Sequence, residues 1–339
     1  ALKTAAQFEP FTHFSVHTPF ANKDSRFLFE LASGSKQFTT FPLSKNHRCH
    51  PSIINYSTGL LSGSFEPIPT DDIRVFRKYV EGSEIEIANW LTTAVSRFSD
   101  RYAVSEMNKI GVLVKNSQTG NILHRNLGIP HKAFATTPLD SDSSLWGRLF
   151  RRIFFWVFNL DITKYEFVEN YLSIDFQKPI VKRVMALLNN LENVANQNPN
   201  NLQDADWMFQ SIAKLIYPNR FNQNAIEKLS QVLRSNIYLS SFIPANIGEV
   251  QLMTLHKAKG LEFDLVFHLN LYRWILPQYN GDYDQDKNLH YVGITRAKKC
   301  CVLCTSSQRH NYHREITEAE ESDFLYTNDL ESYRLNSPF

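Results

Sequence analysis

Residues 252–267 read LMTLHKAKGLEFDLVF, and this stretch decides the fold class. The apolar run from Val250 to Met253 predicts a strand ending at Thr254. A polar turn with His256, Lys257 and Lys259 then reaches Gly260, and a second strand is expected from Phe263 to Leu269. Two short apolar runs joined in this way, among helical patterns, point to a parallel α/β sheet. Such sheets bind ligands at the C-terminal edges of their strands. Thr254, His256 and Lys257 are therefore candidate phosphate contacts, and Gly260 permits close backbone approach. Glu262 can accept hydrogen bonds from sugar hydroxyls. From composition alone, an ordinary surface turn is the commoner reading.

Downstream, LHYVGITRAKK (289–299) predicts a helix over Leu289–Ala297 that presents Arg296, and Cys300–Thr305 reads as a strand. A rigidly held arginine suits stabilisation of charge on a transferring phosphoryl group. An isolated arginine is more often a surface residue. Upstream, LSKNHRCHPSI (43–53) sets Arg48 between a short strand at Thr39–Leu43 and a helix with Pro51 in its first turn. Ser83 and Glu86 form a capping box before Ile87, Leu91, Ala94, Val95 and Phe98 at helical spacing. Ile110–Val114 is a β-rich run. Between these blocks the pattern is helical, through Leu145–Trp156, Val181–Leu191, Trp207–Ile216 and Ile226–Leu233, with a loop at Asn196–Leu202.

The expected organisation is an unassigned segment at 1–36, an α/β domain at 37–130 and 246–306 split by a helical block at 131–245, and a polar tail at 307–339. Net charge is only +2, so nucleic-acid binding would need a local basic stripe. Four cysteines in 339 residues make no disulfide scaffold and fit a reducing, cytoplasmic setting. Ile153–Leu160 (IFFWVFNL) is too short to span a bilayer and reads as buried helix. No secretory signal opens the chain. It begins with Ala, which implies processing or a start inside a longer chain.

Three of these segments together resemble a known family. LSKNHRCHPSI resembles motif IV of UvrD/Rep/PcrA-like superfamily 1A DNA helicases, LMTLHKAKGLEFDLVF their motif V and HYVGITRAKK their motif VI. IGVLVKNSQTGNILHRNLGIPHKAF (110–134) resembles the strand and helix that follow motif IV. The resemblance implies a RecA-like parallel sheet domain (2A) interrupted by a helical insertion domain (2B). It implies that Arg48 and Arg296 reach the γ-phosphate of ATP, and that Gly260 and Glu262 belong to the same nucleotide site, Glu262 at the ribose. It implies that Thr254, His256 and Lys257 lie in a region touching single-stranded or partly duplex DNA.

Departures accompany the resemblance. His47, Cys49 and His50 replace the usual residues around Arg48, and Asp284-Gln285-Asp286-Lys287-Asn288 replaces an acidic run with an arginine pair. No G-x-x-x-x-G-K-[ST] occurs, and Gly34-Ser35-Lys36 lacks the first glycine of that pattern. ATP with Mg²⁺ would then be held mainly by an N-terminal RecA-like domain in the same or another chain. LYRWILP followed by DQDKNLHYVGITRA resembles helicase-like subunits of bacterial defence systems such as Gabija, which implies a nuclease partner. The alternative is a helicase-like DNA-binding or scaffold subunit without its own ATP site. Cys301, Cys304, His310 and His313 can be drawn as a zinc site, but a buried strand is the expected reading of the cysteines. Tyr272 and Trp274 suit base stacking or core packing equally.

Overall fold

The computed structural model describes residues 46–159 and 162–339. The strand expected at Thr39–Leu43 lies outside them. Along the chain come α1 (Pro51–Leu61), β1 (Val75–Val80), α2 (Glu84–Arg101), β2 (Ile110–Val114), α3 (Ser117–Asn126) and β3 (His131–Ala133). Six helices follow: α4 (Leu145–Asn159), α5 (Lys164–Glu169), α6 (Lys178–Gln197), α7 (Asp206–Ile216), α8 (Gln223–Leu233) and α9 (Asn236–Ser240). The remaining elements are β4 (Val250–Thr254), β5 (Phe263–His268), α10 (Tyr283–Thr295), β6 (Ala297–Ser306), β7 (Gln308–His310), β8 (Ile316–Glu318) and β9 (Leu335–Asn336).

The chain divides into two compact units, one of the described residues up to Ser105 with Ala258–Phe339, the other of Glu106–Lys257. In the first, β5 pairs with β6, β6 with β1 and β1 with β9, all parallel. Helix α2 covers this sheet. Its capping box forms as the sequence predicts, and Ile87, Leu91, Ala94, Val95 and Phe98 are buried at helical spacing. Trp90 and Phe98 meet Phe267 of β5 edge-on. Pro51 begins α1, where the backbone N–H it lacks has no helical partner in any case.

In the second unit β3 pairs with β4 and β4 with β2, again parallel. Every residue of β2 is buried, as an apolar run without alternation requires. Helices α4–α9 enclose their own core. Trp146, Phe150, Phe154 and Trp156 of α4 pack with Leu188 of α6, Phe209 of α7 and Leu229 of α8. The mostly parallel strands with their covering helices have the α/β architecture expected of a RecA-like domain. Among the described residues no helix is long and apolar enough to cross a membrane.

Several elements differ from the sequence reading. His131–Ala133 is a strand rather than the start of the helical block: it pairs in parallel with Val250–Leu252 of β4, and three residues are too few to show a period in sequence. Asn196–Leu202 is not a plain loop: α6 runs to Gln197 and a 3₁₀ turn covers Pro199–Asp204. Helix α10 starts six residues before Leu289 and stops at Thr295, so Ala297 already belongs to β6. Residues 307–339 are not a trailing tail. They form the β7–β8 hairpin, bury Phe324, Leu325 and Leu330, and add β9 to the sheet. Their apolar residues sit in 3₁₀ turns, whose spacing matches neither the helical nor the strand period.

Candidate functional site

A short turn aims Arg48. The Asn46 side chain accepts hydrogen bonds from the backbone N–H groups of Arg48 (2.9 Å) and Cys49 (3.2 Å). The His50 N–H donates to the Lys298 carbonyl at 2.8 Å, fastening the turn to the start of β6. Cys49 is buried, with Sγ 3.6 Å from the Thr295 carbonyl. Arg48 therefore projects to the C-terminus of α10. Its Nη2 donates to the Thr295 carbonyl (3.0 Å) and its Nη1 to Glu262 Oε1 (3.1 Å). Its Nε is buried and has no hydrogen-bond partner among the described residues.

Arg296 is the C-terminal cap of α10. Its Nε donates to the Val292 carbonyl (3.3 Å) and its Nη1 to the Leu261 carbonyl (3.0 Å), next to Glu262. The last carbonyls of a helix carry partial negative charge, so this end of α10 draws two guanidinium groups. Lys298 Nζ reaches Glu262 Oε2 at 2.9 Å. Burial opposes ionisation of Glu262, but hydrogen bonds from Lys298 and Arg48 outweigh it and hold the carboxyl below its ordinary range. Burial and then the Arg48 charge lower the Arg296 pKa.

Arg48, Glu262 and Arg296 thus come together at the N-terminal ends of β5 and β6, opposite the strand edge from which the sequence reading started. The motif V stretch explains this. It leaves the C-terminal end of β4 at Thr254 and enters the N-terminal end of β5 just after Glu262. Gly260 has φ of +88°, and a Cβ there would meet nothing within 4 Å. Within the chain, glycine is needed for the left-handed backbone rather than for space.

Thr254, His256 and Lys257 belong to the second unit. His256 is exposed. The Thr254 carbonyl accepts from the Lys257 N–H at 3.0 Å. The Lys257 side chain turns inward: Nζ lies 3.3 Å from Asp140 Oδ2 and donates to the Ala135 carbonyl. Burial lowers its pKa, partly offset by Asp140. The geometry makes Lys257 an anchor of the turn.

Cys300, Cys301 and Cys304 are all buried thiols of β6. Cys301 and Cys304 are three apart in a strand and point to opposite faces. Tyr272 is core, with its hydroxyl against Ser306 Oγ, whereas Trp274 is exposed. The sequence reading missed Lys298 as a partner of Glu262, although its place in the basic cluster after Arg296 was a signal.

Residues 59–308 match the family described as UvrD-like helicase C-terminal domain. The chain is similar to the ATP-dependent DNA helicase Rep of Buchnera aphidicola subsp. Schizaphis graminum, with 24% identity over 68% of this chain and 39% of that protein. It is 39% identical to Rep of Escherichia coli K12 over 23% of this chain and 12% of that protein. It is 46% identical to the ATP-dependent DNA helicase PcrA of Leuconostoc citreum over 22% of this chain and 10% of that protein. The chain spans well under half the length of these curated relatives. With the matched region covering most of its residues, it belongs to the UvrD-like helicase C-terminal domain family.

Proposed function

We propose that this chain is the C-terminal part of an ATP-dependent single-stranded DNA translocase or helicase, supplying two arginines to an ATP site and contacts to the DNA strand. One observation carries the reading: Arg48, Glu262 and Arg296, from three distant stretches, are joined at one strand edge. The donor set fits a polyphosphate. It offers two guanidinium groups and Lys298, and the buried Arg48 Nε has no partner among the described residues. It does not suit Mg²⁺, because its one carboxylate is already paired with Arg48 and Lys298. A partner RecA-like domain, in the same or another chain, holds the metal and cradles the phosphates.

In this reading Arg48 and Arg296 stabilise charge that develops on the transferring phosphoryl group. Glu262 accepts a hydrogen bond from a ribose hydroxyl while keeping Arg48 oriented. His256, exposed on this turn, contacts the DNA strand, while the buried Thr254, whose hydroxyl accepts from the Lys257 N–H, and Lys257 itself fix the turn that carries it. Bound ATP supplies the phosphoanhydride bond whose cleavage drives movement.

A second reading, a non-catalytic DNA-binding or scaffold subunit, draws on the carbonyl contacts of both arginines, which fasten the end of α10. Steady-state turnover of the assembled enzyme with single-stranded DNA separates the two. Arg296→Ala is expected to cut turnover by roughly 10³-fold or more, by analogy with arginine fingers, and to leave DNA affinity within about two-fold. Unchanged turnover with lowered thermal stability in both Arg296→Ala and Arg48→Ala would make the two arginines structural and favour the scaffold.

A further inference from the structure

Residues 335–339 run along the outer edge of β1 and then turn onto α2. Leu335 and Asn336 pair with Phe76 and Arg77, and the Ser337 N–H donates to the Arg77 carbonyl at 2.8 Å. The pairing stops there, although β1 continues to Val80. Leu335 is 47% exposed, and Asn336 and Pro338 are exposed as well. Arg334, by contrast, is buried, and its Nη1 donates to the Leu325 carbonyl. The firmly fixed chain therefore ends at Arg334. The five residues beyond it are held by few contacts, as are segments that open first in local unfolding.

Phe339 is where these five residues are gripped. Its ring meets Phe98 edge-on at 5.0 Å, with the Arg97 guanidinium 5.8 Å from the ring centroid. Its carbonyl oxygen accepts from Lys78 Nζ at 2.7 Å, from Trp90 Nε1 at 3.3 Å and from Ser337 Oγ at 3.2 Å. Lys78 Nζ also lies 5.2 Å over the Trp90 ring. Neither Lys78 nor Arg97 has an aspartate or glutamate partner among the described residues. An ammonium group and an indole N–H thus converge on one oxygen, and a guanidinium lies beside the ring. That donor set suits a carboxylate, because charge-assisted hydrogen bonds are roughly twice as strong as neutral ones.

We propose that β1 and α2 form a docking groove for an extended peptide of a partner protein that ends in an aromatic residue with a free carboxylate. Residues 335–339 occupy this groove in cis as a displaceable strap. The edge of β1 supplies main-chain pairing by strand addition, and Lys78 with Trp90 captures the carboxylate. The strap gives the register: pairing at Phe76 and Arg77 sets an aromatic ring on Phe98. Charge complementarity selects the occupant, since Lys78 and Arg97 bring two cations with no acidic side chain answering them. The groove lies within one compact unit and uses none of Arg48, Glu262 and Arg296.

The test is fluorescence anisotropy of a labelled LNSPF peptide, with a free or an amidated carboxyl end, against the full chain and its Phe339→Ala variant. Phe339→Ala clears the ring position. It should bind the acid peptide roughly ten-fold more tightly than the parent does, and prefer acid over amide by about ten-fold. Adding Lys78→Met to Phe339→Ala should remove that preference. No saturable binding to Phe339→Ala overturns the groove. So does equal affinity in parent and variant, or equal affinity for acid and amide. If Phe339→Ala loses its cooperative melt, the parent decides: saturating acid peptide should speed hydrogen exchange of the Ser337 amide, and unchanged protection overturns the groove. A parent dimer that Phe339→Ala dissolves would assign the groove to a second copy of this chain and overturn the partner peptide.

Discussion

Arg48 donates to the Glu262 carboxylate across 3.1 Å although 214 residues separate them in sequence, and Lys298 holds the other carboxylate oxygen at 2.9 Å. The carboxylate is thereby turned toward the end of α10. Both partners are partly exposed, at 23% for Arg48 and 37% for Glu262, so solvent screening keeps the pair modest.

Glu262→Gln is expected to lower stability by only about 0.2–1 kcal/mol. The folded pKa of Glu262 is depressed, so its contribution is present above the unfolded pKa and is lost as pH falls through the folded value. The parent and Glu262→Gln chains should therefore converge in denaturant midpoint below about pH 4. A gap that persists or widens in acid would show that the pair does not set the Glu262 titration.

His268 and His290 form a fully buried pair in the first unit, 2.9 Å apart. The His268 Nδ1–H donates to the Leu269 carbonyl, so its Nε2 accepts from the His290 Nδ1–H, and His290 Nε2 is a buried acceptor without a partner among the described residues. Burial lowers the pKa of His268 to about 4 and drives His290 well below its usual value. Both stay neutral in the fold while the unfolded chain takes up protons below pH ~6.5. Stability should thus be full above that pH and fall as pH drops toward 4, by up to about 1.4 kcal/mol per pH unit for each histidine. Urea midpoints from pH 7 to 5 read this slope. His290→Phe, placed against Phe324, should flatten it, and an unaltered slope would assign the acid sensitivity elsewhere.

Lys257 and Asp140 tie the motif V turn to the segment leading into α4. Lys257 Nζ contacts Asp140 and the Ala135 carbonyl, and Arg151 of α4 donates to the Asp140 carbonyl. Removing one charge from a largely buried pair leaves the other uncompensated. Lys257→Met is expected to destabilise the chain by about 2 kcal/mol, with Asp140→Asn costing less when added to it than alone. Strict additivity in that double-mutant cycle would mean the two side chains act independently.

Much of this protein follows from short-range pattern. The capping box at Ser83 and Glu86, the helical spacing from Ile87 to Phe98 and the unbroken apolar run Ile110–Val114 determine their elements locally, because backbone period and caps span only a few residues. The motif wording around Arg48, Glu262 and Arg296 determined the family. Which side chains meet was decided by tertiary structure. Lys257 and His256 are neighbours in one polar turn, yet one turns inward to Asp140 and the other is exposed. Tyr272 and Trp274 are alike in sequence, but the Arg273 N–H donates to the Glu320 carbonyl and Ser322 donates to the Leu271 and Leu276 carbonyls, holding a loop in which one is buried and the other exposed. Residues 307–339 look like a polar tail until β1 supplies the edge against which β9 can pair. Such choices depend on contacts between residues from about fifty to more than two hundred positions apart, and local propensity carries no information about those.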